Sequence, residues 1–175
     1  MVEFQVDRTI AASPERVFDW LADPANLTAA PVILKVRWVK VGALREAIGL
    51  GGWFREQITA HDRPRAYSYR VVRSIPPFDH EGGTLTFTPS TDGTHVDWQT
   101  SYTHPAHAGG KLMEAVSRRL LRWSFLAVLA GCAKALESYA SARNGLSWGS
   151  EGQRQTRRRG ARAQCRIRPA GTPPR

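Results

Sequence analysis

A chain of 175 residues suits one domain and is short for two, and its 42% hydrophobic content, with six Trp and six Phe, allows a real buried core. The formal net charge of +10 invites a nucleic-acid reading, but residues 1–140 carry 16 Lys+Arg against 14 Asp+Glu, a balance of +2. Residues 141–175 carry nine Arg and one Glu, a balance of +8, so the basicity belongs to the C-terminal segment and no folded nucleic-acid face is indicated.

In chain order, Phe4, Val6 and Ile10 alternate with polar residues, which predicts a half-buried strand. Ser13-Pro14-Glu15 has the form of a helix start, Val17, Phe18, Trp20 and Leu21 follow at helical spacing, and Asp23-Pro24 stops the helix. Residues 26–30 add one further turn. Val32, Leu34, Val36 and Trp38 then predict one face of a strand reaching Val41. Further strands are expected over 53–60, 67–74, 84–88 and 95–102. Turn chemistry separates them at 49–52, Arg63-Pro64, Pro76-Pro77, Gly82-Gly83 and Asp92-Gly93. Such closely spaced strands pair antiparallel, because parallel crossovers need a dozen or more residues.

After Gly109-Gly110 the period changes. Leu112, Val116, Leu120, Trp123, Ala127, Gly131, Ala135 and Tyr139 form an apolar stripe flanked by Met113, Leu121, Phe125 and Val128. This predicts a helix of some 30 residues, about 45 Å long, with its stripe covered by the sheet. From about Ala142 the pattern dissolves into Gly, Ser, Gln and Arg, which reads as a disordered tail over 141–175 behind a domain of 1–140. Two readings of the tail stand: an arm that binds polyanions, or an extension under no selection. Arg outnumbers Lys 21 to 4 across the chain, as GC-rich coding sequence produces.

Cys132 in an apolar helical stretch and Cys165 in the tail form no disulfide framework, and the N-terminus lacks a signal-peptide layout. A cytoplasmic setting is therefore expected. No Walker loop, dinucleotide fingerprint or paired-cysteine site occurs, so no cofactor is expected.

The order of strand, short helices, antiparallel strands and one long helix resembles the helix-grip fold of the START/Bet v 1-like (SRPBCC) superfamily, in its polyketide cyclase/dehydrase and lipid-transport branch. The resemblance rests on the opening Val6-Asp7-Arg8-Thr9-Ile10-Ala11-Ala12-Ser13-Pro14-Glu15-Arg16-Val17-Phe18 and on Asp23-Pro24-Ala25-Asn26. Behind these come the glycines at 49–52, the strand from Trp98 to Tyr102 and the helix from Lys111. It covers about residues 3–140 and implies an α+β fold: a curved antiparallel sheet wrapped round the long C-terminal helix, with two short helices after the first strand. It further implies an internal cavity for an apolar small molecule such as a lipid, polyketide or isoprenoid-like compound. The branch includes carriers, receptors and cyclases, and fold alone does not choose among them.

Candidate ligand contacts follow. Val96, Trp98, Thr100 and Tyr102 share a strand face toward the long helix, so Trp98 and Tyr102 either line a pocket or pack an ordinary core. Tyr69, Phe87 and Trp123 are further aromatic candidates. On the strand at 53–60, either Arg55 faces inward, or Trp53 and Arg55 face solvent and Phe54, Glu56 and Ile58 face the core; one of Arg55 and Glu56 is expected inside, at a ligand's polar tip. Arg118, Arg119 and Arg122 read as a solvated helix face, with transient contact to an anionic membrane surface as the functional alternative.

Several motifs are set aside. His104 and His107 flank Pro105 without accompanying ligands and read as a solvated turn; His80-Glu81 lacks the second histidine of a zincin, so no metal site is expected. His95 and Asp97 fall on the outer strand face. Gly145-Leu146-Ser147-Trp148-Gly149 matches a nucleophile elbow in letters alone, since a helix and not a strand precedes it. The sequence therefore predicts binding of a hydrophobic small molecule. A cyclase/dehydrase-type enzyme, with Tyr102, Arg55 or a histidine assisting proton transfer, is the first alternative, and polyanion binding by the tail the second. Oligomeric state is left open.

Overall fold

The structure, a computed structural model, describes the backbone of residues 1–163 and the side chains of residues 1–138. The chain opens with β1 (Val2–Ile10), α1 (Pro14–Ala22) and α2 (Pro24–Leu27). Six strands follow: β2 (Ile33–Lys40), β3 (Leu44–Gly49), β4 (Gly52–Asp62), β5 (Ala66–Ile75), β6 (Asp79–Ser90) and β7 (Gly93–Thr103). A 3-10 turn at Ala106–Ala108 leads into α3 (Gly110–Ala163). Residues 1–137 form one compact unit, and the residues from Ser138 a second.

The strands make one antiparallel sheet in the order β1-β7-β6-β5-β4-β3-β2. It is a meander whose first strand closes against its last, with Val6 opposite Trp98. The sheet curves round α3, and the helix-grip fold implied by the sequence is the fold found. Pro14 takes the first turn of α1, where its missing N–H costs nothing, and Asp23 caps α2 by accepting from Ala25 N at 2.9 Å. α1 closes one end of the sheet: the Phe18 ring lies 5.2 Å from Phe87 and 6.1 Å from Tyr67.

Where the alternation was clean, it named the buried face. Phe4, Val6 and Ile10 of β1 and Val96, Trp98, Thr100 and Tyr102 of β7 are all buried. In β2, Leu34 stands out to solvent instead, because the register slips between Ile33 and Lys35 and the bulge turns the next side chain over. β3 was not expected at all. Its inward residues are Arg45 and Ala47, so no apolar alternation marks it.

The covered side of α3 is not the predicted stripe. Leu112 is 77% exposed, Val116 58% and Trp123 51%, while Val128, Leu129, Cys132, Ala133 and Leu136 are buried and Leu121 and Phe125 pack against the core. Before residue 127 the helix is apolar on both sides, and periodicity alone picks out the outer side.

Gly82 and Gly83 lie inside β6, not in a turn. A Cβ on Gly83 would stand 2.4 Å from Cζ of Tyr69, so the bare backbone there lets the Tyr69 ring cross the strand. Gly52 takes φ +123°, and a Cβ there would meet the Ile75 carbonyl oxygen at 2.0 Å; this glycine makes the β3–β4 turn.

The backbone of α3 continues past the expected end near residue 140, no proline intervening before Pro169. The disordered tail expected over 141–175 falls on residues whose side chains, and from 164 also the backbone, lie outside the described residues. Among the described residues no helix is long and apolar enough to cross a membrane.

Candidate functional site

Between α3 and the concave side of the sheet lies a cavity of about 110 Å³. Its floor is aromatic. Trp98 of β7 stacks on Phe125 of α3 with ring centroids 3.9 Å apart and planes 10° from parallel. Trp98 Nε1 donates to the Tyr69 hydroxyl at 3.1 Å. Phe78 packs against Tyr102 at 5.2 Å and Phe54 at 5.8 Å. Apolar side chains of β2, together with Leu121 and Val128 of α3, complete the wall. Gly49 and Gly51, at the β3–β4 turn, form part of the lining; Cβ on Gly51 would lie 3.6 Å from Leu121 and 3.4 Å from Phe54.

Three of the polar side chains in this wall are Arg45, His80 and Tyr102. Arg45, 5% exposed, donates from Nε to Glu56 Oε2 at 2.5 Å, and its Cζ lies 5.6 Å and 5.8 Å from the ring centroids of Tyr67 and Tyr69. Burial alone would lower its pKa, but the Glu56 carboxylate, aided by the two tyrosines, outweighs burial and holds the guanidinium charged. Arg45 Nη1 is buried and has no hydrogen-bond partner among the described residues.

The second group is His80. Its Nδ1 accepts from Val71 N–H at 3.0 Å, so the ring proton sits on Nε2 and is donated to Thr100 Oγ1 at 2.9 Å; that hydroxyl in turn donates to the Gly82 carbonyl at 3.3 Å. Burial, with Arg70 nearby, pushes the His80 pKa down to about 4, so the ring is neutral at pH 7.

The third is Tyr102, whose hydroxyl shares a hydrogen bond with Ser117 Oγ at 2.9 Å; Ser117 in turn meets His104 Nε2 at 3.0 Å. Burial raises the Tyr102 pKa, as it does that of Tyr69. Both phenols remain protonated at neutral pH and act as hydrogen-bonding groups.

Residues 1–137 match the family described as polyketide cyclase / dehydrase and lipid transport. The chain belongs to this family. Solved structures agree in fold. TTHA0849 from Thermus thermophilus superposes with a TM-score of 0.63 at 22% identity, over 79% of this chain and 99% of that one. XoxI from Bacillus cereus gives 0.62 at 18%, over 77% and 95%. The di-domain ARO/CYC StfQ, from the steffimycin biosynthetic pathway, gives 0.64 at 15%, over 80% of this chain and 52% of that one. No curated protein matches the sequence significantly.

Within this member of the polyketide cyclase / dehydrase and lipid transport family, the cavity brings together only some of the predicted residues. Trp98, Tyr102 and Tyr69 line it. Phe87 does not: it is buried beside Phe18 under α1. Trp123 points to solvent on the outer side of α3. Arg55 is on the convex face, where it and Arg37 grip Glu46 from either side. The alternative register holds on β4, with Phe54 and Glu56 facing the cavity.

Arg45, Phe78 and His80 also line the cavity and are not among the predicted residues. Phe78 follows two prolines in what reads as a loop. Arg45 sits in a strand without alternation, although Arg45 opposite Glu56 is an ordinary cross-strand charge pair once the register is known. His104 is buried, not part of a solvated turn, because Ser117 and the Pro77 carbonyl satisfy its ring nitrogens. Among the described residues no His, Cys, Asp or Glu cluster is arranged to hold a metal.

Proposed function

We propose that the chain binds a hydrophobic small molecule in the cavity between α3 and the sheet, as a carrier or sequestering protein. The observation that supports this most directly is the lining itself: aromatic and aliphatic walls interrupted by a few fixed polar groups, the usual composition of a small-ligand site. The volume narrows the reading. At about 110 Å³ the cavity is smaller than the roughly 300 Å³ at which drug-sized pockets begin and approaches the roughly 150 Å³ of a cavity that takes benzene. It suits a short branched chain, or the inserted end of a larger molecule whose remainder lies at the opening.

Cyclisation of a long chain would need the whole reactive segment folded inside, and this volume does not accommodate one. Tyr102 engages Ser117 and His80 engages Thr100, so neither presents a free acid or base to the cavity. Binding without turnover is therefore the preferred function.

Native mass spectrometry of the full chain, purified without denaturation, tests the reading. A bound apolar molecule is expected, removable by organic solvent and restoring a higher thermal midpoint when added back. Ala47→Phe, which places a ring in the cavity, is expected to abolish uptake while circular dichroism stays native. Protein that carries no small molecule and gains no stability from any apolar compound would sink the proposal.

A further inference from the structure

Arg45 is out of place in an apolar cavity unless something uses it. Its Nε is hydrogen-bonded to Glu56, its Cζ lies against the rings of Tyr67 and Tyr69, and its Nη1 is buried without an acceptor among the described residues. A buried charged donor left unpaired is rare in native proteins and calls for a partner. Arg45 also lines the cavity, so the acceptor can come from a ligand.

Resting on the binding function proposed above, we infer that Arg45 Nη1 anchors the ligand and that the ligand is an apolar molecule bearing a neutral carbonyl oxygen. Charge balance selects the neutral class. Among the described residues, Arg45 and Glu56 are the only charged side chains in the lining, they cancel, and His80 adds no charge at pH 7. A ligand carboxylate would set a second anion on a guanidinium already neutralised by Glu56, leaving net negative charge in a low-dielectric site. A ketone, ester or quinone oxygen accepts the free N–H and leaves the balance at zero. A hydrocarbon leaves Nη1 unsatisfied.

Three probes of nine heavy atoms each separate these cases: acetophenone, isopropylbenzene and benzoate, titrated into the full chain at pH 7 and followed by amide NMR shifts. Removing Arg45 alone would strand the Glu56 carboxylate, so the comparison variant is the double substitution Arg45→Met with Glu56→Met, which replaces the pair by apolar groups of similar length. The expected result is that the affinity of acetophenone relative to isopropylbenzene falls at least tenfold in the double variant, and that benzoate binds the wild type most weakly. The C=O stretch of acetophenone bound to the wild type gives a reading that needs no variant: it is expected below its value in hexane.

An unchanged affinity ratio, or a hexane-like stretch, overturns the anchor while leaving the cavity reading intact. Tightest binding by benzoate overturns the neutral class. If none of the three binds at millimolar concentration, the cavity reading fails and the anchor with it.

Discussion

His80 links the cavity to the sheet: its ring stacks on Tyr69 at 5.6 Å and substitutes for a missing ladder partner of Val71 N–H. That bond requires an unprotonated Nδ1, and burial holds the folded pKa at about 4 against 6.5 unfolded. Between these values the unfolded chain binds the extra proton, so stability rises with pH across the window. Stability is complete above pH 6.5 and is expected to fall by about 3 kcal/mol as pH drops toward 4. Urea unfolding from pH 7.5 to 5 should show the decline, and His80→Gln should flatten it; an equal slope in both proteins would remove His80 as its source. At this scale Trp98 and Tyr102 were legible because their strand alternates cleanly. His80 and Arg45 were not, since a lone polar residue carries no sign of the face it takes until its neighbours are known.

The long helix shows what a periodicity argument can and cannot settle. Its existence follows from the change of period after Gly110, but its buried face runs through Leu121, Phe125, Val128, Leu129 and Cys132, against the predicted stripe. Replacement of Leu129, fully buried, by Ala is expected to cost about 3 kcal/mol, whereas Leu112→Ala should lie within about 0.5 kcal/mol of the wild type. Chemical denaturation of the two variants decides it, and the reverse order would restore the stripe first predicted. Two apolar stripes compete over residues 112–127, and packing on the sheet chooses between them. The same logic explains β2 and β3. A bulge turned Leu34 outward, and a strand whose inner residues are Arg and Ala offered no hydrophobic signal.

For the whole molecule, charge and cavity belong to different parts of the chain. The first 140 residues are near neutral and contain the cavity, while the last 35 carry +8. A chain ending at residue 140 is expected to keep a thermal midpoint within about 3 °C of the full chain, equivalent to about 1 kcal/mol, and to keep its ligand binding. It should also lose the salt-sensitive retention on heparin that a cluster of nine arginines confers. A large fall in midpoint would instead make the C-terminal segment part of the core. The small cavity volume could not be anticipated from composition, because it depends on how far Phe125 and Leu121 reach toward the sheet.

Local chemistry determined the order of elements, the helix start at Ser13-Pro14, the antiparallel pairing and the buried faces of β1 and β7, because these depend on neighbours a few residues apart. The resemblance carried by those elements was sufficient to indicate the family. Tertiary structure decided which side of α3 is covered, which way the Arg45–Glu56 pair points and how much space is left between helix and sheet. Each of these depends on groups distant in sequence, and on electrostatic and packing costs that exist only once they meet.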